Sequence, residues 1–213
     1  MYTPAFNAVD EQHARSMVAD IASGWLVTVG RDGPPEATLM PILWNGDRLI
    51  AHMAKANPHW RHIDDGAPGL VIVTGPEAYV SPSWYASKAE HGKVVPTWNY
   101  LAVHLSGTVR THHDPTFILS AVTDLTHKHE SDRAEPWHVN DAPDDYIAAQ
   151  LKAIVGIEMH IDQVEGKAKL SQNRSEPDQH GVIEGLRREP DPRSGTAIAE
   201  AMHDGHTEPG AEW

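Results

Sequence analysis

The sequence predicts a mainly β protein, an antiparallel barrel with a few helices packed against its outside. Three observations support that fold class. Six or seven segments have the length and apolar character of strands, turn residues separate most of them, and few segments have helical spacing. Strands joined by turns, with few helices between them, are typical of antiparallel sheets and barrels.

The first third of the chain predicts a helix followed by three strands. Apolar residues recur at helical spacing over residues 10–22, and Asp10 stands where a helix N-cap is expected. The strands are separated by turns that contain Gly33 and Gly46, which is typical of hairpins. We expect strands at residues 25–29, 36–43 and 48–53, and a short helix at 57–63.

The rest of the chain predicts a central strand, a long irregular segment, and further strands and helices. The run LVIVT at 70–74 is apolar throughout, which indicates a strand buried on both faces, with residues 78–81 as its extension. Residues 82–96 form a loop of a length that tends to be functional. We then expect a strand at 98–109, helices at 114–129 and 146–154, a strand at 155–164, and at 166–170 a turn into a last extended piece.

Residues 187–213 differ from the rest of the chain in composition. They are rich in Pro, Gly, Asp and Glu and show no sustained period. Such segments do not bury enough apolar surface to fold. We therefore expect one domain over residues 1–186 followed by a disordered acidic tail.

Composition and charge exclude several classes of function. The chain has no cysteine, so disulfides and thiolate chemistry are excluded. The 17 basic residues are outnumbered by 30 acidic ones, giving a net charge of −13, which disfavours direct contact of the isolated chain with DNA phosphates. No signal-peptide pattern opens the sequence and no apolar run approaches the roughly 20 residues of a membrane span. We expect a cytoplasmic protein.

Four segments of the sequence are distinctive. They are HMAKANPHW (52–60), YVSPSWYASKAEHGKVVPTWNY (79–100), EPWHVNDAPDDYI (135–147) and KLSQNR (169–174), the last followed by GVIEGL. Together these segments resemble the PaiB family, whose members are described as FMN-binding negative transcriptional regulators. The resemblance follows the same order and spacing from residue 1 to about residue 186.

The resemblance implies a fold, a cofactor and an assembly. The family is similar to the pyridoxamine-phosphate-oxidase-like split β-barrels, which pair as homodimers and hold FMN in two clefts at the subunit interface. It implies a transcriptional regulator or redox sensor that acts through this flavin. Since the chain is acidic, a protein partner is favoured over bare DNA.

Two segments contain candidate FMN ligands. His52, Lys55 and Asn57 follow a predicted strand, where a turn can direct side chains and backbone N–H groups at a phosphate. A solvated lysine and a helix-capping asparagine explain the same spacing. Thr38 and Met40 lie on the hairpin strand where split barrels line the flavin, although a threonine without a ligand role is equally ordinary there.

Two further segments combine aromatic rings with hydrogen-bond donors, as a flavin ring requires. In a dimer the first of them would reach the flavin of the neighbouring subunit. The alternatives are that the tryptophans are core or interface residues and that 171–174 is a polar loop closing the barrel. The candidates are Ser83, Trp84, Lys93, Thr97, Trp98 and Asn99 in the first segment, and Gln172, Asn173 and Arg174 in the second.

The 15 histidines raise the alternative of a metal or haem site. No pair lies in an HExxH frame, so we expect no metal. His52, His91 and His104 are conceivable haem ligands, which makes haem binding or degradation one alternative function. The other alternative is an FMN-dependent oxidoreductase with a small substrate. No catalytic acid, base or nucleophile is evident in the sequence.

Overall fold

The computed structural model describes residues 1–30, 33–188 and 195–207. Strands dominate this part of the chain. They are β1 (Ala8–Val9), β2 (Ser23–Val29), β3 (Pro35–Asn45), β4 (Arg48–Ala54), β5 (Ala67–Val80), β6 (Thr97–His112) and β7 (Ile154–Lys169). The helices are α1 (Glu11–Ile21), α2 (Ser87–His91), α3 (Pro115–Glu130), α4 (Asp144–Leu151), α5 (Glu176–Arg188) and α6 (Gly195–Thr207). Short 3-10 turns occur at Ala5–Asn7, Pro58–His62, Pro82–Trp84 and Val139–Asp141.

The strands form one seven-stranded sheet in the order β1-β7-β4-β3-β2-β5-β6. An additional pairing joins β7 to β6, so the strand order closes on itself. The registered pairs β1–β7, β2–β3, β2–β5, β3–β4 and β4–β7 are all antiparallel. The prediction of an antiparallel barrel with flanking helices is confirmed.

Contacts between residues divide the chain into two compact units. The central unit comprises residues 18–73 and 104–164. The terminal unit comprises residues 1–17 and 74–103 and the described residues from 165 onward. β5, β6 and β7 each contribute residues to both units.

The core of the central unit follows from the alternation of its strands. In β4, Leu49, Ala51 and Met53 are buried while the residues between them are not, as expected when every second side chain points inward. Helix α3 adds one apolar stripe at helical spacing, formed by Ile118, Ala121 and Leu125.

The core of the terminal unit is built mainly from α5 and α6. Their buried apolar residues pack with strand residues and with Tyr85 in one cluster. The helical members of this cluster are Val182, Ile183, Leu186, Ile198, Ala199 and Met202.

The structure differs from the sequence prediction at the C-terminal end of the chain. A disordered tail is expected over 187–213, but residues 195–207 form α6, and Ile198 and Ala199 are fully buried. Ala199, Met202 and their neighbours satisfy a helical period that the surrounding Pro, Gly and acidic residues obscure. The remainder of the predicted tail, 189–194 and 208–213, lies outside the described residues.

Two smaller differences concern strand β7 and the irregular segment. β7 continues without a break to Lys169, where a turn into a last extended piece is predicted over 166–170. Gly166 lies inside that strand next to Val9 of β1, which explains why a glycine here does not mark a turn. The irregular segment 82–96 contains the 3-10 turn Pro82–Trp84 and helix α2.

Candidate functional site

A buried histidine organises the segment that follows β4 in the central unit. This segment, residues 55–62, is called the β4 turn below. The side chain of His59 is 1% exposed, and both of its ring nitrogens have partners. Nε2 lies 2.8 Å from the hydroxyl of Thr28 on β2, and Nδ1 lies 2.7 Å from the hydroxyl of Thr38 on β3. Burial lowers the pKa of His59, which favours the neutral ring. This imidazole therefore connects the turn to two strands of the sheet.

Asn57 closes the same network. Its side-chain oxygen accepts a hydrogen bond from the backbone N–H of His59 at 3.0 Å, which makes it the N-cap of the turn Pro58–His62. Its amide nitrogen donates to the hydroxyl of Thr38 at 3.1 Å. Asn57 therefore has the helix-capping role that was one of its two predicted roles. It is also in direct contact with Thr38, another predicted site residue.

Lys55 lies between β4 and this turn, with its backbone fixed and its side chain exposed. Its backbone N–H donates to the carbonyl of Ala153 at 2.7 Å, and its carbonyl accepts from the indole N–H of Trp60 at 3.0 Å. Within the described part of the chain its ammonium group has no hydrogen bond or ion pair. A fixed backbone with an uncommitted cation is well suited to meeting an anion.

His52 provides an unpaired polar atom on β4, three residues before Lys55. The side chain is half-buried, and its Nδ1 is buried without a hydrogen-bond partner. Burial lowers the pKa of His52. A buried polar atom without a partner requires an explanation, and a bound ligand is one of the recognised ones.

Met40 differs from the other predicted residues of the central unit because its side chain belongs to the core. It is 2% exposed and lies on the inward face of β3. Any contact that Met40 makes with a cofactor must therefore come from its backbone.

In the terminal unit, the start of β6 contacts the end of β7 through Lys169. The Lys169 ammonium group donates to the hydroxyl of Thr97 and, at 2.5 Å, to the carbonyl of Trp98. The Trp98 ring remains 52% exposed and makes a T-shaped contact with the ring of Tyr79, with the ring centres 6.1 Å apart. Burial lowers the pKa of Lys169. The backbone of the exposed Trp98 is thus held by a partly desolvated cation.

Asn99 has a packing role that explains its complete burial. Its amide nitrogen contacts the sulfur of Met202 at 3.4 Å, and its oxygen accepts from the hydroxyl of Ser171 at 3.1 Å. Asn99 therefore connects β6 to α6 and to the segment after β7.

Ser83 and Trp84 belong to a segment that α5 holds in place. The Trp84 ring lies directly against Gly185, and the Trp84 carbonyl approaches Gly181, so a side chain at either glycine would collide with it. Asp178 accepts hydrogen bonds from the backbone N–H and the hydroxyl of Ser87 at 2.9 and 2.8 Å. Ser83 accepts from the Lys88 ammonium group at 3.0 Å. The core-aromatic alternative accounts for the position of Trp84.

The last predicted cluster closes the turn after β7. The Gln172 side chain accepts from the N–H of Leu170 at 2.7 Å and donates to the carbonyl of Ala168 at 2.5 Å, so both ends of its amide are engaged. The Arg174 guanidinium lies 4.7 Å from the centre of the Tyr85 ring. Asn173 is exposed. Lys93, on the loop between α2 and β6, is also exposed.

The histidines proposed as haem ligands lie apart in the chain. His91 accepts a hydrogen bond from the N–H of Lys93 at 3.0 Å, and His104 is half-buried in β6. Among the residues described, no group of three His, Asp or Glu side chains converges on a metal position.

Two residues that hold the β4 turn are not among the site residues predicted from the sequence. These residues are His59 and Thr28. The available signal was the position of His59 within the HMAKANPHW segment. Its contacts with Thr28 and Thr38 join residues 31 and 21 positions apart, which local spacing does not reveal.

Comparison with known proteins identifies the family. Residues 1–163 match the model of a family described as "Putative FMN-binding domain". The chain belongs to this FMN-binding family. Family membership therefore identifies FMN as the cofactor. The prediction of FMN from the PaiB-like segments is confirmed.

Curated relatives of the family agree with this membership. The chain is 32% identical over 209 residues to the protease synthase and sporulation protein PAI 2 of Bacillus subtilis, covering 96% of this chain and 97% of that protein. It is 36% identical over 164 residues to the uncharacterized protein AN0679 of Emericella nidulans, covering 65% of each. The resemblance to the PaiB family is confirmed.

Solved structures share the fold. The FAD and heme binding protein of Mycobacterium smegmatis superposes with a TM-score of 0.57 at 20% identity, covering 77% of this chain and 73% of that one. The flavocytochrome Anf3 of Azotobacter vinelandii gives 0.54 at 14% identity, covering 75% and 67%. These likenesses support the split-barrel fold alone.

The residues of the β4 turn fit a phosphate-bearing cofactor. The unpaired Nδ1 of His52 and the uncommitted ammonium group of Lys55 lie three residues apart in the chain. Strand pairing holds the backbone at His52, and hydrogen bonds with Ala153 and Trp60 hold it at Lys55. Separately, no described helix is both long and apolar enough to cross a membrane.

Proposed function

We propose that two copies of this chain bind FMN between them and that the protein works as a flavin-dependent regulator or redox sensor. The observation that carries the proposal lies at the end of β4 and the start of the turn after it. There the buried, unpaired Nδ1 of His52 and the exposed ammonium group of Lys55 are three residues apart in the chain. The family supplies the identity of the cofactor. The second copy and the regulatory role are the proposed parts.

The β4 turn would hold the FMN phosphate. The Lys55 ammonium group would supply positive charge, and His52 Nδ1 would form a hydrogen bond in place of its missing one. Thr38 and Asn57 would act through the backbone, because their side chains already bind each other and His59. When bound, FMN supplies reversible electron transfer, and the protein orients it and controls access to it.

The outward face of β2, β3 and β5 supports the second copy. Trp25 is 44% exposed and pairs in register with Leu39, which is 53% exposed, and with Ile72 of β5. Val29 at the end of β2 is 59% exposed. A contiguous apolar sheet face of this kind marks an interaction site in soluble proteins. Because the same face exists on each copy, it allows a symmetric pair.

The exposed residues of the terminal unit would complete the flavin site of the neighbouring copy. Trp98, Lys93 and Asn173 are exposed and offer a ring face, a cation and an amide. The other predicted residues would support them: Ser83, Trp84, Thr97, Asn99, Gln172 and Arg174 contact neighbours within the terminal unit.

The regulatory role draws on the relative and on charge. PAI 2 of Bacillus subtilis is named for protease synthesis and sporulation and aligns over nearly the whole length of both chains. A net charge of −13 favours a basic protein surface as the partner. The oxidation state or occupancy of FMN would alter the contact with that partner.

The FMN site is tested with a Lys55→Ala variant and a matched Lys128→Ala control. Lys128 is an exposed lysine on α3. We expect the first variant to lose tenfold or more in FMN affinity, since hydrogen bonds to charged groups contribute about 1.5–3 kcal/mol, and the control to bind normally. Fluorescence quenching of added FMN measures both. Unchanged affinity in Lys55→Ala would refute the phosphate assignment, and a Soret band in the purified protein would favour haem.

The second copy is tested with Leu39→Lys and a Gln163→Lys control. Both positions are exposed strand residues of the central unit, so the fold should survive either change. We expect Leu39→Lys alone to give a monomer by light scattering and to lose FMN. A wild-type monomer that binds FMN fully would contradict the proposed dimer.

The regulatory role is tested by comparing transcripts in cells that carry wild-type or Lys55→Ala protein at equal abundance. The proposal predicts a set of transcripts that changes with FMN binding. Identical transcripts, together with steady NAD(P)H oxidation by the wild-type protein, would identify an oxidoreductase instead.

A further inference from the structure

A cavity of about 700 Å³ lies between α3, α4 and the 3-10 turn Val139–Asp141, wholly within the central unit. Pockets for small molecules are typically about 300–1,000 Å³. One wall comes from the segment EPWHVNDAPDDYI, which is among the most characteristic of the sequence and which the proposed FMN site does not use.

Helix α4 leaves its apolar stripe facing this cavity. Ile147 and Leu151 are one helical turn apart and line it, together with Ala148. Leu119 and Thr123 are spaced in the same way along α3 and line the opposite wall. A helix normally buries its apolar stripe against its neighbour, yet α4 has no buried residue. The space between the two helices is therefore open to a ligand.

The charges of the lining select the class of ligand. Two acidic residues, Asp124 of α3 and Asp144 at the start of α4, border the cavity, and the described residues that line it include neither Lys nor Arg. His127, His138 and Asn140 add hydrogen-bonding groups. A mainly apolar cavity with a few polar groups and an acidic border suits an apolar body that carries a positive charge.

We propose that this cavity binds a small organic cation, an amine on an aromatic or alkyl body. The ammonium group would lie at the acidic border that Asp124 and Asp144 form, and the body along the apolar stripes of α3 and α4. Anions of the same shape would be rejected by charge. The FMN proposal is independent of this site, because none of the predicted FMN residues lines the cavity.

The test compares phenethylamine with 3-phenylpropionate, which has a similar body and the opposite charge, on the FMN-loaded full chain. Calorimetry should show saturable binding of the amine and none of the carboxylate. Asp124→Asn and Asp144→Asn should each weaken amine binding about two- to fivefold, the range expected for exposed charge pairs. Asp20→Asn, an exposed acid on α1, is the matched control and should leave binding unchanged.

Two variants that alter the cavity strengthen the test. Ala148 is exposed on α4, so Ala148→Trp should fill the cavity and abolish binding without disturbing the core. Thr123 is exposed on α3, and Thr123→Arg should reverse the preference in favour of the carboxylate. Circular dichroism and retained FMN confirm folding of each variant.

Three results would overturn the proposal. The first is equal binding of the amine and the carboxylate. The second is no saturable amine binding up to about 10 mM, near the weakest affinity expected for a ligand of this size. The third is a shift of the cavity amide signals on dilution of the protein alone, which would show that a second copy covers this surface.

Discussion

One imidazole, that of His59, holds three parts of the central unit together. Its two nitrogens contact hydroxyls on β2 and β3, while its own backbone is capped by Asn57. A neutral imidazole has one donor and one acceptor nitrogen, and a threonine hydroxyl can serve either of them. Both partners can therefore be satisfied without a buried charge, which explains how a fully enclosed histidine is tolerated here.

Removing this ring should destabilise the fold. His59→Ala leaves the Thr28 hydroxyl and the turn without their partner, and we expect a loss of about 2–4 kcal/mol in the free energy of unfolding. Urea denaturation measures it. The control is His62→Ala, because that side chain is 51% exposed and pairs only at the surface with Glu36, so its loss should stay below about 1 kcal/mol. Equal losses in both variants would contradict the structural role of His59.

The pH dependence of stability should reflect two histidines of this region, the half-buried His52 and the buried His59. Burial lowers the pKa of His52 and of His59 below 6.5 in the folded chain. The unfolded chain therefore binds protons more readily, and stability that is complete above pH 6.5 falls as the pH decreases towards the folded pKa values. His52→Asn, which does not titrate, should show a shallower decrease in urea denaturation series. An equally steep decrease would contradict this assignment.

At the scale of elements, the strands were predictable and the last helices were not. β2, β3 and β4 alternate clearly and are separated by turn residues, so their boundaries differ from the predicted ones by only a few residues. α5 begins with Glu-Pro-Asp and contains two glycines, both of which indicate irregular structure in isolation. Gly181 and Gly185 are there because Trp84 lies against the helix, and that long-range packing is absent from any local pattern.

Helix α6 should contribute to stability as a core element. Ile198 is fully buried in the terminal unit, so Ile198→Ala should cost about 2–4 kcal/mol. Glu200 is exposed on the same helix, and Glu200→Ala is the matched control with little expected effect. Thermal unfolding followed by circular dichroism distinguishes the two variants. If both melt at the wild-type temperature, α6 does not stabilise the terminal unit.

At the scale of the whole molecule, the sequence predicts the strand order better than it predicts which side chains are available to a ligand. The strand order agrees with the fold that the sequence predicts, because alternation and turns encode an antiparallel sheet directly. The proposed FMN residues fall into two units, and their spacing alone does not predict which side chains are committed to neighbours. Gln172 and Asn57 have the right chemistry for a ligand, yet hydrogen bonds within the chain occupy their amides.

The net charge of −13 predicts the behaviour of the isolated protein towards DNA. We expect no mobility shift of duplex DNA even at about 50 mM salt, where electrostatic binding is strong. A fluorescently labelled duplex and a titration of purified, FMN-loaded protein suffice for the measurement. A shift that disappears as salt is raised would reveal a basic surface and contradict the expectation.

The anchoring of residues 82–91 limits how a bound cofactor could leave. Asp178 fixes Ser87, and the face of α5 is shaped by glycines around the Trp84 ring. Swinging this segment outward would uncover an indole and break two hydrogen bonds to a carboxylate. Release through a hinged flap is therefore disfavoured here. In the proposed dimer, the residence time of FMN should then depend on separation of the two copies.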